Sequence, residues 1–356
     1  MLVGLVRLLR RRRPCTIRIQ TPDGMVSKGL RAIGVDAGYK KSPADILRGL
    51  LWAECVVLGG GTIFHDAYPD ERYRGYWRNL LVLALIFALA RVLGRHVSLI
   101  GIGVGPLRRR RTRLFTTLLK WAAHDISVRD QPSADDLHSL PGRHGKVRVA
   151  DDLSAFANFA ALGVARSGRG IIGLSLVPPG VVSGADGGAV ERFYDALGGQ
   201  LGQALERGEI SGVMLFSANV GKDSDLQVAA RMARTLSAHA ERVEQVRFDG
   251  DPEKFAGRLA DCDLVLAARY HVAIASSSMG IPTLWLAYQR KVMDAAPAYG
   301  APPDDIFDLG ALCSEPLGHL RLFARVGGTD IDRSAATSAQ HVRIDPTATL
   351  IGADRT

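Results

Sequence analysis

Two rhythms of apolar and polar positions alternate along the chain. In the first half, short apolar runs predict strands over Thr16–Ile19, Cys55–Leu58, Val97–Ile102, Asp125–Val128 and Val147–Val149. Between them, helical spacing predicts helices over Pro43–Leu51, Trp77–Leu93, Arg113–Ala123 and Ser133–Leu140. A second series begins at Gly170, with strands over Ile171–Ser175, Gly212–Phe216, Val243–Arg247, Leu264–Ala267 and Thr283–Leu286. Its helices are expected over Ala189–Arg207, Ser224–Ala240, Pro252–Ala260 and His271–Ser278. Strand and helix in regular alternation predict an α/β protein with parallel sheets. The two series meet around Asn158–Arg169, so the expected division is residues 1–160, residues 168–325 and a polar tail over 326–356. Two such halves facing across a cleft would present ligands to the C-terminal ends of their strands.

The most apolar run, Leu80–Ala90, lies between Arg78-Asn79 and Arg91. It falls short of the roughly 20 apolar residues that span a bilayer and reads as a buried helix. At Met1–Arg13 the arginines follow a short apolar stretch, the reverse of a secretory signal, so a cytoplasmic protein is expected.

Of 356 residues, 47% are hydrophobic and 23% charged, and the 39 Gly and 16 Pro are dispersed. Collagen-like, low-complexity and largely disordered readings drop out. The net charge of +9 suits anionic substrates, anionic lipid or nucleic acid and does not choose among them. Cys15, Cys55, Cys262 and Cys313 lie far apart, without zinc spacing or disulfide-scaffold density, and no metal is expected. The runs Arg10–Arg13 and Arg108–Arg111 read as a solvated basic face, or as a peripheral contact with the anionic inner face of a membrane. They lack interleaved aromatics, and no nucleic-acid partner is expected.

Several strand ends could carry chemistry. Gly59-Gly60-Gly61 precedes Thr62, Phe64 and Asp66, and suits either backbone N–H contacts to an anion or a tight turn needing positive φ. Gly101, Gly103 and Gly105 make a second glycine-rich end, but Pro106 and the spacing do not fit a dinucleotide fingerprint. Arg129, beside Asp130, offers a bidentate fork to an anion or a surface ion pair. In the second half, the strand Leu264–Ala267 runs into Arg269-Tyr270-His271. In extended geometry Arg269 and His271 would point to one side, a permanent cation beside a group that titrates near neutrality. The helix that follows adds its positive end; a buried structural histidine is the competing reading. The strand after Gly280-Ile281-Pro282 would bring Tyr288 and Lys291 to the same rim, Lys291 as a phosphate partner or a solvated lysine.

The ordered blocks VVLGGGTIFHD, GIGVGP, SVRD, DDLSAF, ARYHVAIASSSMGIP and YQRK, spread over Trp52–Lys291, resemble the polysaccharide pyruvyl transferase family. The resemblance implies two Rossmann-like domains of GT-B-like architecture, the first on the acceptor side and the second on the donor side. It implies transfer of a carboxyethylidene group from phosphoenolpyruvate to a sugar of a cell-surface polysaccharide or its lipid-linked precursor, with release of phosphate and no other cofactor. Family members open with a further strand and a glycine- and asparagine-containing loop. Leu2–Arg13 is similar to the end of the helix that follows, so the N-terminal domain is expected to lack its first βα unit. Under this reading Arg129, Arg269 and Lys291 hold the donor's anions and His271 is the general acid–base. Backbone N–H groups at Gly59, Gly60 and Gly61 face anionic oxygens, and Asp66 orients a sugar hydroxyl or caps a helix. A nucleotide-sugar-dependent GT-B glycosyltransferase and a non-catalytic scaffold of the same family are the alternatives. Neither the acceptor sugar nor an oligomeric state is legible.

Overall fold

The computed structural model describes residues 2–12, 14–20, 28–35, 38–39, 42–66, 70–142, 147–157, 159, 168–219 and 224–314. The expected polar tail and most of the expected hinge lie outside them. The chain divides into two compact units, with the division between residues 157 and 158.

The first unit runs α1 (Leu2–Arg12), β1 (Ile19–Gln20), α2 (Lys28–Ala32), β2 (Gly38–Tyr39), α3 (Pro43–Trp52), β3 (Cys55–Gly59), β4 (Thr62–Phe64), α4 (Asp70–Val92), β5 (His96–Val104), α5 (Arg110–Ala122), β6 (Asp125–Val128), α6 (Gln131–His138) and β7 (Val147–Val149). The main sheet has the order β3-β5-β6-β7, with β4 also pairing with β5, and every pairing is parallel. Strands β1 and β2 form a separate parallel pair.

Local chemistry sets the helix starts. Ser42 caps α3 by accepting from the Asp45 N–H and is followed by Pro43, whose fixed φ suits a first turn. Asp130 does the same for α6 through the Ser133 N–H. Leu50, Phe87, Phe115 and Leu137 come from α3, α4, α5 and α6, and join one core cluster with Val97, Leu99, Ile126 and Val128 of the sheet. Lys120 of α5 is fully buried, and its Nζ donates to the carbonyls of Leu137 (2.8 Å) and Leu140 (3.0 Å) at and just beyond the end of α6. A cation there answers the negative end of the helix.

Three expectations change here. The strand expected over Thr16–Ile19 is confined to Ile19–Gln20. The sequence predicts no strand over Thr62–Phe64, yet the chain turns through Gly60 (φ 70°) and Gly61 (φ 79°) so that β3 and β4 both reach β5. Nor is the helix carrying Leu80–Ala90 fully buried. Leu80, Ala84, Phe87 and Ala90 face the core, while Val82, Leu85, Leu89 and Val92 face outward.

The second unit runs β8 (Ile171–Ser175), α7 (Gly187–Glu206), β9 (Gly212–Ser217), α8 (Leu226–Thr235), β10 (Val243–Arg247), α9 (Pro252–Leu259), β11 (Leu264–Ala267), α10 (Tyr270–Ser278), β12 (Thr283–Ala287), α11 (Arg290–Ala295), β13 (Ile306–Asp308) and α12 (Leu309–Ser314). Its six parallel strands have the order β10-β9-β8-β11-β12-β13. Numbered from β8, that is 3-2-1-4-5-6, the order of a Rossmann fold. The expected helix Ser224–Ala240 stops at Thr235 and gives way to a 3₁₀ turn over Ser237–Arg242.

Strand β8 lies at the middle of the sheet, and Gly173 on it packs against Cys262, Val265 and Phe216, where a Cβ would stand 2.9 Å from the Cys262 sulfur. The start of the unit is tied to β11 by one carboxylate. Asp263 accepts from the N–H groups of Gly168 (2.8 Å), Gly170 (2.6 Å) and Ile171 (3.2 Å).

Candidate functional site

In a 3-2-1-4-5-6 sheet the connections leave the first and fourth strands in opposite directions, which opens a crevice at their C-terminal ends. In the second unit these strands are β8 and β11. The pair is closed at that edge by the Ala268 N–H donating to the Ser175 carbonyl (2.7 Å). Immediately beyond stand Arg269, the N-cap of α10, and His271 in its first turn.

Asp225 holds Arg269. The carboxylate follows β9 and is 1% exposed; its Oδ1 accepts from the Arg269 Nε (2.8 Å) and also from Nη2. Its Oδ2 accepts from the Asn219 N–H at 2.8 Å. The guanidinium is 17% exposed, and its Nη1 has no protein partner among the described residues. One edge of the fork is therefore fixed and the other remains available. Nearby, Ser175 is fully buried and its Oγ lacks a hydrogen-bond partner among the described residues. Tyr194 braces the loop after β8 by donating to the Val177 carbonyl (2.8 Å), and burial pushes its phenol well above the usual range.

The extended-geometry argument for Arg269 and His271 does not hold. The helix starts at Tyr270, so the two side chains are related by a helix cap rather than by a strand's two-residue period. His271 is exposed, with its ring edge-on to Tyr270 at 5.5 Å, which excludes the buried-histidine reading. Tyr288 immediately follows β12, one strand along the same edge; it is buried, and its carbonyl accepts from the Ser183 N–H (3.0 Å). The backbone of Lys291 lies in the first turn of α11, and its side chain lies outside the described residues.

The remaining expected residues gather at the C-terminal edge of the first unit's sheet. Arg129 immediately follows β6, and its side chain is 7% exposed. Its Nη2 donates to Thr62 Oγ1 (2.6 Å) and its Nε to Asp130 (3.3 Å), while Nη1 lies 3.6 Å from fully buried Asp152. The surface-pair reading of Arg129 is therefore wrong: the guanidinium is an internal brace joining β4, β6 and the loop after β7. At the glycine triplet, the Gly60 N–H donates to Ile100 and the Gly61 carbonyl accepts from Gly103, so both groups belong to the ladder with β5. Gly59 packs against Leu5 and Leu153 without room for a Cβ. The tight-turn reading fits this geometry. Asp66 caps a helix from a distance: its Oδ2 accepts from the N–H of Arg109, the residue before α5, at 2.5 Å.

Asp225, Asn219 and Ser175 carry the site yet do not stand out in the sequence. Asp225 precedes α8 and reads as an ordinary helix-capping residue, although it makes no cap bond. Burial pushes the Cys262 thiol up to about 12 and the Cys313 thiol up to about 11, so neither is a thiolate nucleophile at neutral pH. No group of potential metal ligands occurs among the described residues. A separate cavity opens at the opposite, N-terminal edge of the second sheet, but its arginines are matched by carboxylates, Arg169 with Asp261 and Arg258 with Glu244.

Two α/β units with parallel sheets, the second in Rossmann order, define a two-unit α/β fold. Solved structures agree on the fold. A Listeria monocytogenes protein described as a UDP-N-acetylglucosamine 2-epimerase matches with a TM-score of 0.61 at 11% identity, covering 98% of this chain and 89% of that one. The Neisseria meningitidis UDP-GlcNAc 2-epimerase bound to UDP-GlcNAc matches with a TM-score of 0.58 at 12% identity, covering 97% and 91%. No curated protein matches the sequence. The model of the polysaccharide pyruvyl transferase family matches residues 27–290, and the chain belongs to that family.

Proposed function

We propose that the protein transfers a carboxyethylidene group from phosphoenolpyruvate to a saccharide acceptor, with the donor held at the edge formed by β8, β11 and α10. Family membership supports the transferase class. The observation that carries the donor site is the Arg269 fork, fixed along one edge by buried Asp225 at the crossover of a Rossmann sheet. Guanidinium suits a donor with both a carboxylate and a phosphate, because its planar donors match either group in pairs. The start of α10 adds partial positive charge where these oxygens would lie.

Exposed His271 supplies the proton-carrying group. Its imidazolium protonates C3 of the enol, which leaves C2 electrophilic. The first sugar hydroxyl adds at C2 and returns its proton to the imidazole. Phosphate departs with its bridging oxygen, the second hydroxyl closes the ketal, and its proton leaves on phosphate. Two hydroxyl protons thus end on the new methyl group and on phosphate.

Titration of phosphoenolpyruvate into the protein, with phosphate release measured in the presence of acceptor, tests this reading. His271→Ala is expected to lower phosphate release by at least about a hundredfold with donor affinity retained. Arg269→Lys is expected to weaken donor binding about tenfold despite the retained charge. Wild-type turnover in the first variant, or saturation by a nucleoside diphosphate sugar with no response to phosphoenolpyruvate, overturns the proposal.

A further inference from the structure

Helix α4 is apolar on two sides. One side joins the core, and the other shows Val82, Leu85, Leu89 and Val92 to solvent at spacings of three, four and three residues, with Val92 75% exposed. Helix α5 lies beside it in the same layer, joined through Trp77 stacked on Phe115 at 6.3 Å, and presents Leu114 (64% exposed) and Trp121 (56%). A soluble surface rarely carries so continuous an apolar stripe without a use for it. The exposed arginines Arg108, Arg110 and Arg111 stand at the start of α5, exposed Arg78 lies within the N-terminal half of α4, and Arg111 lies 5.0 Å above the Trp77 ring. Not one Asp or Glu occurs in the chain between Glu71 and Asp125.

We infer that the outer face of α4 and α5 docks onto an anionic phospholipid bilayer. Apolar side chains of this size enter the boundary between headgroups and acyl chains, while arginines beside them meet lipid phosphates. The stretch from Arg72 to His124, free of Asp and Glu, makes the face complementary to a negative surface and argues against a second copy of the same cationic face. The helices lie on the surface, since no helix among the described residues is long and apolar enough to cross a membrane. This inference is independent of the donor chemistry.

Flotation of the full chain with vesicles tests it, using phosphatidylcholine alone and phosphatidylcholine mixed with phosphatidylglycerol. The protein is expected to float with the mixed vesicles and to remain behind with the neutral ones. Leu85→Ser/Leu89→Ser and, separately, Arg110→Ala/Arg111→Ala should each reduce binding about tenfold or more. All four positions face solvent, so the thermal midpoint should be retained, and circular dichroism checks that. Phosphate release from phosphoenolpyruvate in solution should be unchanged in both variants, which separates this test from that of the donor site. No flotation with anionic vesicles overturns the inference. So does flotation that neither pair affects, or self-association in place of flotation that the leucine pair removes.

Discussion

Arg129 and Arg269 show how little a residue's type says about its task. Both are arginines at the C-terminal ends of parallel strands, and both stand near a carboxylate in space. Arg129 is closed on three sides by Thr62, Asp130 and Asp152 and serves the fold. Arg269 is closed along one edge by Asp225 and keeps the other open. Arg129→Ala would remove a cation 3.6 Å from fully buried Asp152, and is expected to lower unfolding free energy by about 3–5 kcal/mol. Urea unfolding measures this, and a loss below about 1 kcal/mol would return Arg129 to the candidates for ligand binding. The sequence shows both arginines equally well. It cannot show the difference, because Asp152 and Asp225 meet their partners only through the tertiary fold. Asp66 was legible as either a cap or a ligand, and its bond to the Arg109 N–H places it at the helix start.

Elements were easier to read than residues wherever a strand is buried on both faces. Asp125–Val128, Ile171–Ser175 and Leu264–Ala267 have their expected limits, because continuous apolar runs bounded by turns leave little room for another assignment. Strands β4 and β13, three residues each, are too short to show a period. Helix α4 was legible as a helix but not as one with an open apolar face, since a sequence apolar all round looks the same whether a neighbour or a membrane covers it. Strand β8 illustrates a requirement that no periodicity reveals. Gly173 gives Cys262 and Phe216 their places, and Gly173→Ala is expected to cost about 1–3 kcal/mol through overpacking, read as a lower urea midpoint with an unchanged slope.

For the whole molecule, charge sets the response to acid. Burial raises the Asp125 pKa, but hydrogen bonds from His96 and Ser98 and the charges of His96 and Arg148 outweigh it, holding the carboxyl below its ordinary value. A carboxyl lowered on folding contributes stability above its unfolded pKa, near 3.9, and loses it as pH falls through the folded value. Asp125→Asn should therefore flatten the acid limb of the stability curve below about pH 4 while lowering the plateau at neutrality. Chemical unfolding at stepped pH measures both, and an acid limb as steep as in the parent protein would remove Asp125 from the account. The net charge of +9 works in the same direction, since each carboxylate lost to protonation adds to a repulsion already present.

The carboxylate of Asp263 fixes how the second unit begins. By gripping the amides of Gly168, Gly170 and Ile171 it sets the direction in which the backbone arrives at the central strand, independently of what precedes it. Gly168 is accordingly a natural splice point: a chimera joining another relative's first half here should inherit the recipient's register intact.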